Sequence, residues 1–286
     1  MIRSSQRRRR KDRVTRVVFL ILSSISVLVL VALLGSILIL GLPYFDWQFL
    51  TSLPSRFADK SGILASLVGS IYLVLLTLVI ALPIGIGTAI YLQEFGKNKK
   101  IINIIQVLIL NLAGVPSIVY GIFGLAIFVR TFGFGKSLLS GAFTMAMLIL
   151  PLLIVSTQEA LKTVPKSLKE ASLALGASHL QTTLKITFMY AFPNILTGVI
   201  LAVARILGET APLLMVGAYA YVNFLPTSLG DSFSALPVQI YSWTSKPQEE
   251  FKAIAATAII VLLILQLSLN GIAILVRSKL QRRYEE

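Results

Sequence analysis

The run Asn194–Met215, NILTGVILAVARILGETAPLLM, decides how the rest of the chain is read. It is almost wholly apolar and long enough to cross the hydrocarbon core of a bilayer as a helix, yet it carries Arg205 and Glu209. A guanidinium inside a span costs from ~3 to more than ~10 kcal/mol, depending on its surroundings, and persists where it faces protein or a water-filled path. Read as one helix, the run collects Gly198, Ala202, Arg205, Glu209 and Pro212 on one stripe. Val199, Ile200, Val203, Ile206 and Leu207 fall on the opposite side. The charged stripe is thus also the small-residue stripe, where another helix can approach closely. Entry near Asn194 sets Arg205 close to the middle of the span.

Five more apolar runs surround this one: Val14–Leu40, Ile63–Leu92, Ile104–Val129, Leu138–Thr157 and Ile254–Val276. In lipid every backbone polar group must pair within its own segment, so the runs are read as helices. The ten-residue alternation of a transmembrane barrel is absent. Composition agrees, with 56% hydrophobic and 13% charged residues and a mean hydropathy of +0.85; soluble domains carry about 25% charged residues. The expected fold is an all-α membrane protein with six transmembrane helices. The absence of cysteine excludes disulfides, thiol catalysis and cysteine-held metals, and a single histidine excludes a multi-histidine metal site.

The net charge of +14 is distributed unevenly. Nineteen of the 26 basic residues fall on one side of a six-span topology: the N-terminal Arg/Lys cluster, Lys97–Lys100, the loop after the fourth span, and the C-terminal tail. Both termini are therefore expected in the cytoplasm. The Arg-rich N-terminus is read as a topology determinant that meets anionic lipid, not as a nucleic-acid arm. The first span is too long for a cleaved signal and lacks a clear small-residue cleavage site, so it is kept as an anchor.

Several local patterns carry no chemistry. Gly135-Lys136-Ser137 lacks the glycine a phosphate-binding loop needs five residues earlier, where Arg130 stands. His179 has no companion ligands, and no nucleophile–base pairing is visible, so catalysis by this chain is not expected. The stretch Gly217–Glu250, with Tyr219, Tyr221, Phe224, Phe233, Tyr241 and Trp243, reads as an interfacial aromatic belt. Pro83, Pro116 and Pro151 either shape a cavity or serve packing, a choice the sequence leaves open.

The connection from about Gln158 to Pro193 is long for neighbouring helices. Ser167 with Glu170 has capping-box spacing, Gly176 is placed to end a helix, and Ser178 with Gln181 restarts one. A short helix lying across the cytoplasmic face is predicted. Glu170-Ala171-Ser172, then Gly176, then Ile186, resembles the EAA loop of ABC-importer permeases, with Ser172 in place of a second alanine and Phe188-Met189 in place of Leu-Pro. Ala113-Gly114-Val115-Pro116-Ser117-Ile118-Val119-Tyr120-Gly121, Gly208-Glu209-Thr210-Ala211-Pro212-Leu213-Leu214 and Leu236-Pro237-Val238-Gln239-Ile240-Tyr241 are similar to stretches of the phosphate-specific permeases of the PstA type.

That resemblance implies a MetI-like permease core formed by helices 2–6 over residues 63–276, a peripheral anchor within residues 1–62, a coupling loop at 158–193, and a cytoplasmic tail at 277–286. It implies a bacterial inner-membrane location and three kinds of partner besides lipid: a homologous second permease (PstC-like), two ATPase subunits (PstB-like) carrying ATP and Mg, and an extracytoplasmic phosphate-binding protein (PstS-like). No cofactor and no nucleic acid is expected on this chain. Glu170, Ala171, Ser172 and Gly176 would meet the ATPase. Arg205 would attract phosphate in the path, with Glu209 holding it or pairing with the partner permease. A structural Arg205–Glu209 pair, a permease for molybdate or sulfate, an ion-coupled transporter with Glu209 as proton carrier, and a scaffold or sensor remain the alternatives.

Overall fold

In the computed structural model, backbone is described for residues 2–219 and 221–285 and side chains for 13–219 and 221–279. The basic terminal side chains expected to set orientation (Arg3, Arg7–Arg10, Lys11, Arg282 and Arg283) lie outside the described residues. Helix α1 (Ile2–Gly41) leads through a short α2 (Trp47–Thr51) to α3 (Leu64–Ile90), which ends in a π-helical turn, Tyr91–Phe95. Next come α4 (Lys99–Ala113), α5 (Ser117–Gly124) with a π-helical extension to Thr131, and α6 (Leu138–Lys162). The elbow follows as α7 (Lys166–Ala174), α8 (His179–Thr182) and a second π turn, Thr183–Thr187. It leads into α9 (Phe188–Gly208), α10 (Ala211–Val216), α11 (Leu236–Thr244) and α12 (Glu249–Glu285). The described residues form an all-α, multi-pass membrane protein.

Five helices are long and apolar enough to cross a membrane by themselves. The expected third span is the exception. It is two helices, Lys99–Ala113 and Ser117–Thr131, meeting at 100°. Pro116 has no N–H to continue the ladder and biases Val115 away from helical geometry, so the chain turns at Gly114-Val115-Pro116. The Tyr120 hydroxyl donates to the Leu112 carbonyl at 2.8 Å and ties the two arms together across the bend. Pro83 and Pro151, by contrast, sit inside continuous helices.

The fifth span also differs from expectation. Its helix starts earlier, running unbroken from His179 through the π turn to Gly208, and stops there because Glu209 is extended (φ −83°, ψ 127°). Pro212, in the first turn of α10, starts a new helix. Arg205 therefore stands in the last turn of α9, not midway along one helix reaching Met215.

Helix α6 is the centre of the molecule. Two thirds of its most apolar window is buried, with Gly141 against Leu73 of α3, Thr144 against Gly124 of α5 and Ser156 against Gly198 of α9. Lipid tails are as apolar as leucine, so this core is held by close packing, not by exclusion from water. Leu73, Met145, Ile149, Leu153, Ile206, Leu213 and Val238 fill it. A second cluster, Phe49, Ile63, Leu236, Trp243 and Ile254, closes the end away from the elbow.

The aromatic stretch divides. Tyr219, Tyr221, Phe224 and Tyr241 are exposed as a belt requires, but Phe233 and Trp243 are fully buried in the two cores. Helix α1 is opposite in character to α6: none of its most apolar window is buried, and it meets the body only near its end, where the Thr257 hydroxyl donates to the Gly41 carbonyl at 2.8 Å.

Candidate functional site

Two places unite the residues singled out by sequence. The first is the meeting point of the two broken spans. Gly121 of α5 packs so closely on α10 that a Cβ there would lie 2.7 Å from the Pro212 Cα. Arg205 Nε donates to Glu209 Oε1 at 3.4 Å, with side chains 31% and 19% exposed. Among the described residues this is the guanidinium's one hydrogen bond, so its remaining N–H donors are uncommitted.

The expected stripe is only partly realised. Gly198 and Ala202 are buried with Ala191, Ile195 and Ile206, and Gly198 abuts Ser156 of α6. Arg205 lies at the margin of that face, beside exposed Leu201 and Gly208. Ile206 and Leu207, on the side opposite the expected stripe, are buried against protein. As the last basic residue of α9, Arg205 also complements the negative end of the helix dipole. Where a helix stops within a membrane its freed carbonyls need protein or water; α9 stops three residues beyond this guanidinium, and α5 of the other interrupted span packs on α10 just past that stop.

The second place is the elbow. No residue of α7 is buried. The predicted Ser167–Glu170 capping box does not form: α7 begins two residues earlier, with Pro165 at the N-cap and no side-chain cap. Proline is well suited to this start, and both serine and glutamate project into solvent. The Ser178–Gln181 box is present, with Gln181 N to Ser178 Oγ at 3.2 Å and Ser178 N to Gln181 Oε1 at 2.9 Å.

Between them Gly176, at φ +83°, closes α7. Its N–H bonds the Leu173 carbonyl at 3.0 Å, and the Ala177 N–H bonds the Ser172 carbonyl at 3.2 Å, a Schellman closure that needs a left-handed residue at this position. Beside it Leu175 is 90% exposed. Leu168 and Leu173 are exposed too, so an apolar patch with Glu170 and Ala171 stands free on α7.

Four residues around the elbow escaped the sequence reading. Lys169 Nζ meets Glu94 Oε1 at 2.6 Å. Phe95 meets the His179 ring edge-on at 5.0 Å, giving that histidine a packing role. Ser172 and Thr182 share a hydrogen bond of 2.9 Å. Glu94 was discoverable only as a lone acid beside the basic Lys97–Lys100 segment; no local spacing links it to Lys169. The Gly-Lys-Ser sequence has a structural use, since Ser137 caps α6 by accepting from Ser140 N at 3.2 Å.

Comparison with known proteins gives this all-α, multi-pass chain its class: the non-catalytic membrane permease subunit of an ABC-type importer. The chain belongs to the family of binding-protein-dependent transport system inner membrane components, whose model matches residues 81–282. It is 37% identical over 203 residues to the probable ABC transporter permease protein YqgI of Bacillus subtilis, spanning 71% of this chain and 69% of that one. The phosphate transport system permease protein PstA of Mycobacterium leprae is 32% identical, over 94% of this chain and 90% of its own. The PstA of Haemophilus influenzae is 34% identical, over 87% and 89%. An inward-facing MetNI methionine ABC transporter structure shares the fold, with a TM-score of 0.60 and 19% identity over 77% of this chain and 94% of that one.

Proposed function

We propose that this chain is the PstA-type permease subunit of an ATP-driven phosphate importer. Residues 63–276 act as the permease domain, 1–62 as anchor and outer loop, and 277–286 as a tail, with both termini and the elbow in the cytoplasm. A homologous second permease completes the path, two ATPase subunits hydrolyse ATP and dock on the elbows, and an extracytoplasmic phosphate-binding protein delivers substrate to the opposite face. The reading is carried by Arg205: its N–H donors are uncommitted and it stands where two spans are interrupted. A phosphate dianion would take charge-assisted hydrogen bonds from the free edge of the guanidinium, and Glu209 would keep that edge oriented. The curated relatives named PstA, similar over most of this chain, support phosphate over other anions.

On the elbow side, Glu170, Ala171 and Ser172 lie on α7, and Gly176 fixes its end. A push on α7 would reach α9 through α8 and change access at Arg205. The deciding experiment is ATP-dependent phosphate uptake by the purified complex in liposomes, with molybdate and sulfate as competitors. Uptake driven by ATP and not displaced by those anions supports the proposal. Displacement by molybdate or sulfate reassigns the substrate, and uptake on a proton gradient without ATPase subunits refutes the mechanism.

A further inference from the structure

We propose that the Lys169–Glu94 ion pair is a second strut of the elbow, carrying movement of α7 into α3 beside the covalent route through α8 into α9. Lys169 and Glu94 are then positioning residues of the transport cycle. The inference rests on the reading of α7 as the surface on which an ATPase subunit acts.

The pair is unlike the others in the described residues. Lys162–Glu159 and Lys252–Glu249 are exposed neighbours on single helices, the kind of contact worth little. Lys169 and Glu94 are 75 positions apart, 2.6 Å from each other, and only 24% and 8% exposed. Removing one partner leaves the other charge largely out of water, so the pair resists separation.

The surroundings make the contact rigid on one side and yielding on the other. Ser172 bonded to Thr182 closes the elbow on itself, so α7 and α8 move together. The Phe95–His179 ring contact grips the end of α3 from α8 while Lys169 grips it from α7. Both arms meet the elbow through π turns, Tyr91–Phe95 on α3 and Thr183–Thr187 before α9. Such widened turns recur at functional positions.

Beyond its π turn, α3 leads inward. Ala89 and Leu92 are buried in a cluster with Ile109 of α4 and Ile154 of α6. Helix α4 runs on to the bend at Gly114-Val115-Pro116, across which the Tyr120 hydroxyl holds the Leu112 carbonyl at 2.8 Å. A displacement at Glu94 therefore has a route to the second interrupted span that does not pass along α9, since α5 beyond the bend packs through Gly121 on Pro212 of α10.

The test uses the complete complex, with its ATPase subunits and binding protein, in liposomes. The variants are Glu94→Gln, Lys169→Met and the exchange Glu94→Lys with Lys169→Glu. ATPase retention, ATP hydrolysis and inorganic phosphate moved per ATP are measured. As a readout independent of substrate, a nitroxide at Lys97→Cys in this otherwise cysteine-free chain reports ATP-driven motion at the α3 end. Each single variant is expected to keep its ATPase and hydrolysis within about twofold, to lose transport per ATP by about tenfold, and to halve the nitroxide shift, within the usual range of coupling between sites. The exchange should recover both readouts to within about threefold.

Unchanged readouts in both single variants overturn the strut, as does an exchange variant no better than the singles. Leu175→Asp distinguishes this failure from that of the underlying reading. If it sheds the ATPase while the single variants behave as wild type, docking stands and the strut falls. If it retains the ATPase, both fall.

Discussion

The two ion pairs, Lys169–Glu94 and Arg205–Glu209, use the same charges in contrasting ways. The first joins separate elements at 2.6 Å and hides its carboxylate; the second links one helix end to its own cap at 3.4 Å and leaves both side chains partly open. A short bond between distant elements holds geometry. A long bond within one turn orients a group without using it up. The contrast teaches that a charge in a membrane helix is read from what its partner leaves free, not from the pairing alone.

Arg205→Gln tests this contrast most severely. It should lower phosphate uptake by about two orders of magnitude, the loss of more than one charge-assisted hydrogen bond, while the complex still purifies with its partners. Uptake within twofold of wild type would make the pair merely structural. Gly176→Val strikes the elbow instead: a β-branched residue at φ +83° costs roughly 1–2 kcal/mol or more. ATPase co-purification should fall about tenfold, with the transmembrane fold intact by circular dichroism.

Glu209→Gln sharpens the comparison from the other partner. The long pair orients more than it binds, so uptake should fall only about threefold, in line with a partly exposed ion pair. A loss as deep as that of Arg205→Gln would make the carboxylate an equal participant.

The mildest effect belongs to Asp231, a carboxylate held without any cation. Its oxygens accept from the backbone and hydroxyl groups of Thr227 and Ser228 at 2.8–3.0 Å, which lowers its pKa to about 2. The folded value lies below the ordinary 3.8, so the contribution of this turn is complete above that value and is lost as pH falls through about 2. Asp231→Asn should speed amide exchange at Thr227 and Ser228 several-fold near neutral pH, leaving transport unchanged. Wild type should show the same loosening only near pH 2.

What was legible in the sequence is what depends on local pattern. Long apolar runs marked the spans, and Gly176 and the Ser178–Gln181 box marked one corner of the elbow, because a cap involves residues three or four apart. The interruption after Gly208 was written locally as well, in Pro212 following Thr210-Ala211, but the apolar residues on either side masked it. Glu94 was not legible by any such rule. Its partner is 75 residues away, and only packing of α3 beside the elbow brings them together. Phe233 and Trp243 were misread for a related reason: aromatic content is the same in a belt and in a core, and only the packing of Phe233 on Gly141 and the return of α11 with Trp243 into the bundle separate them.

Helix α1 is tethered to its neighbours near one end, at Gly41 and Thr257, and its described side chains from Val14 to Leu33 touch little of the bundle. Its side chains have few shapes to complement, so drift among oily residues is inexpensive there while length and the tether persist. The bundle's shape is therefore set by the helices that follow, and α1 adds reach across the bilayer without adding to the core.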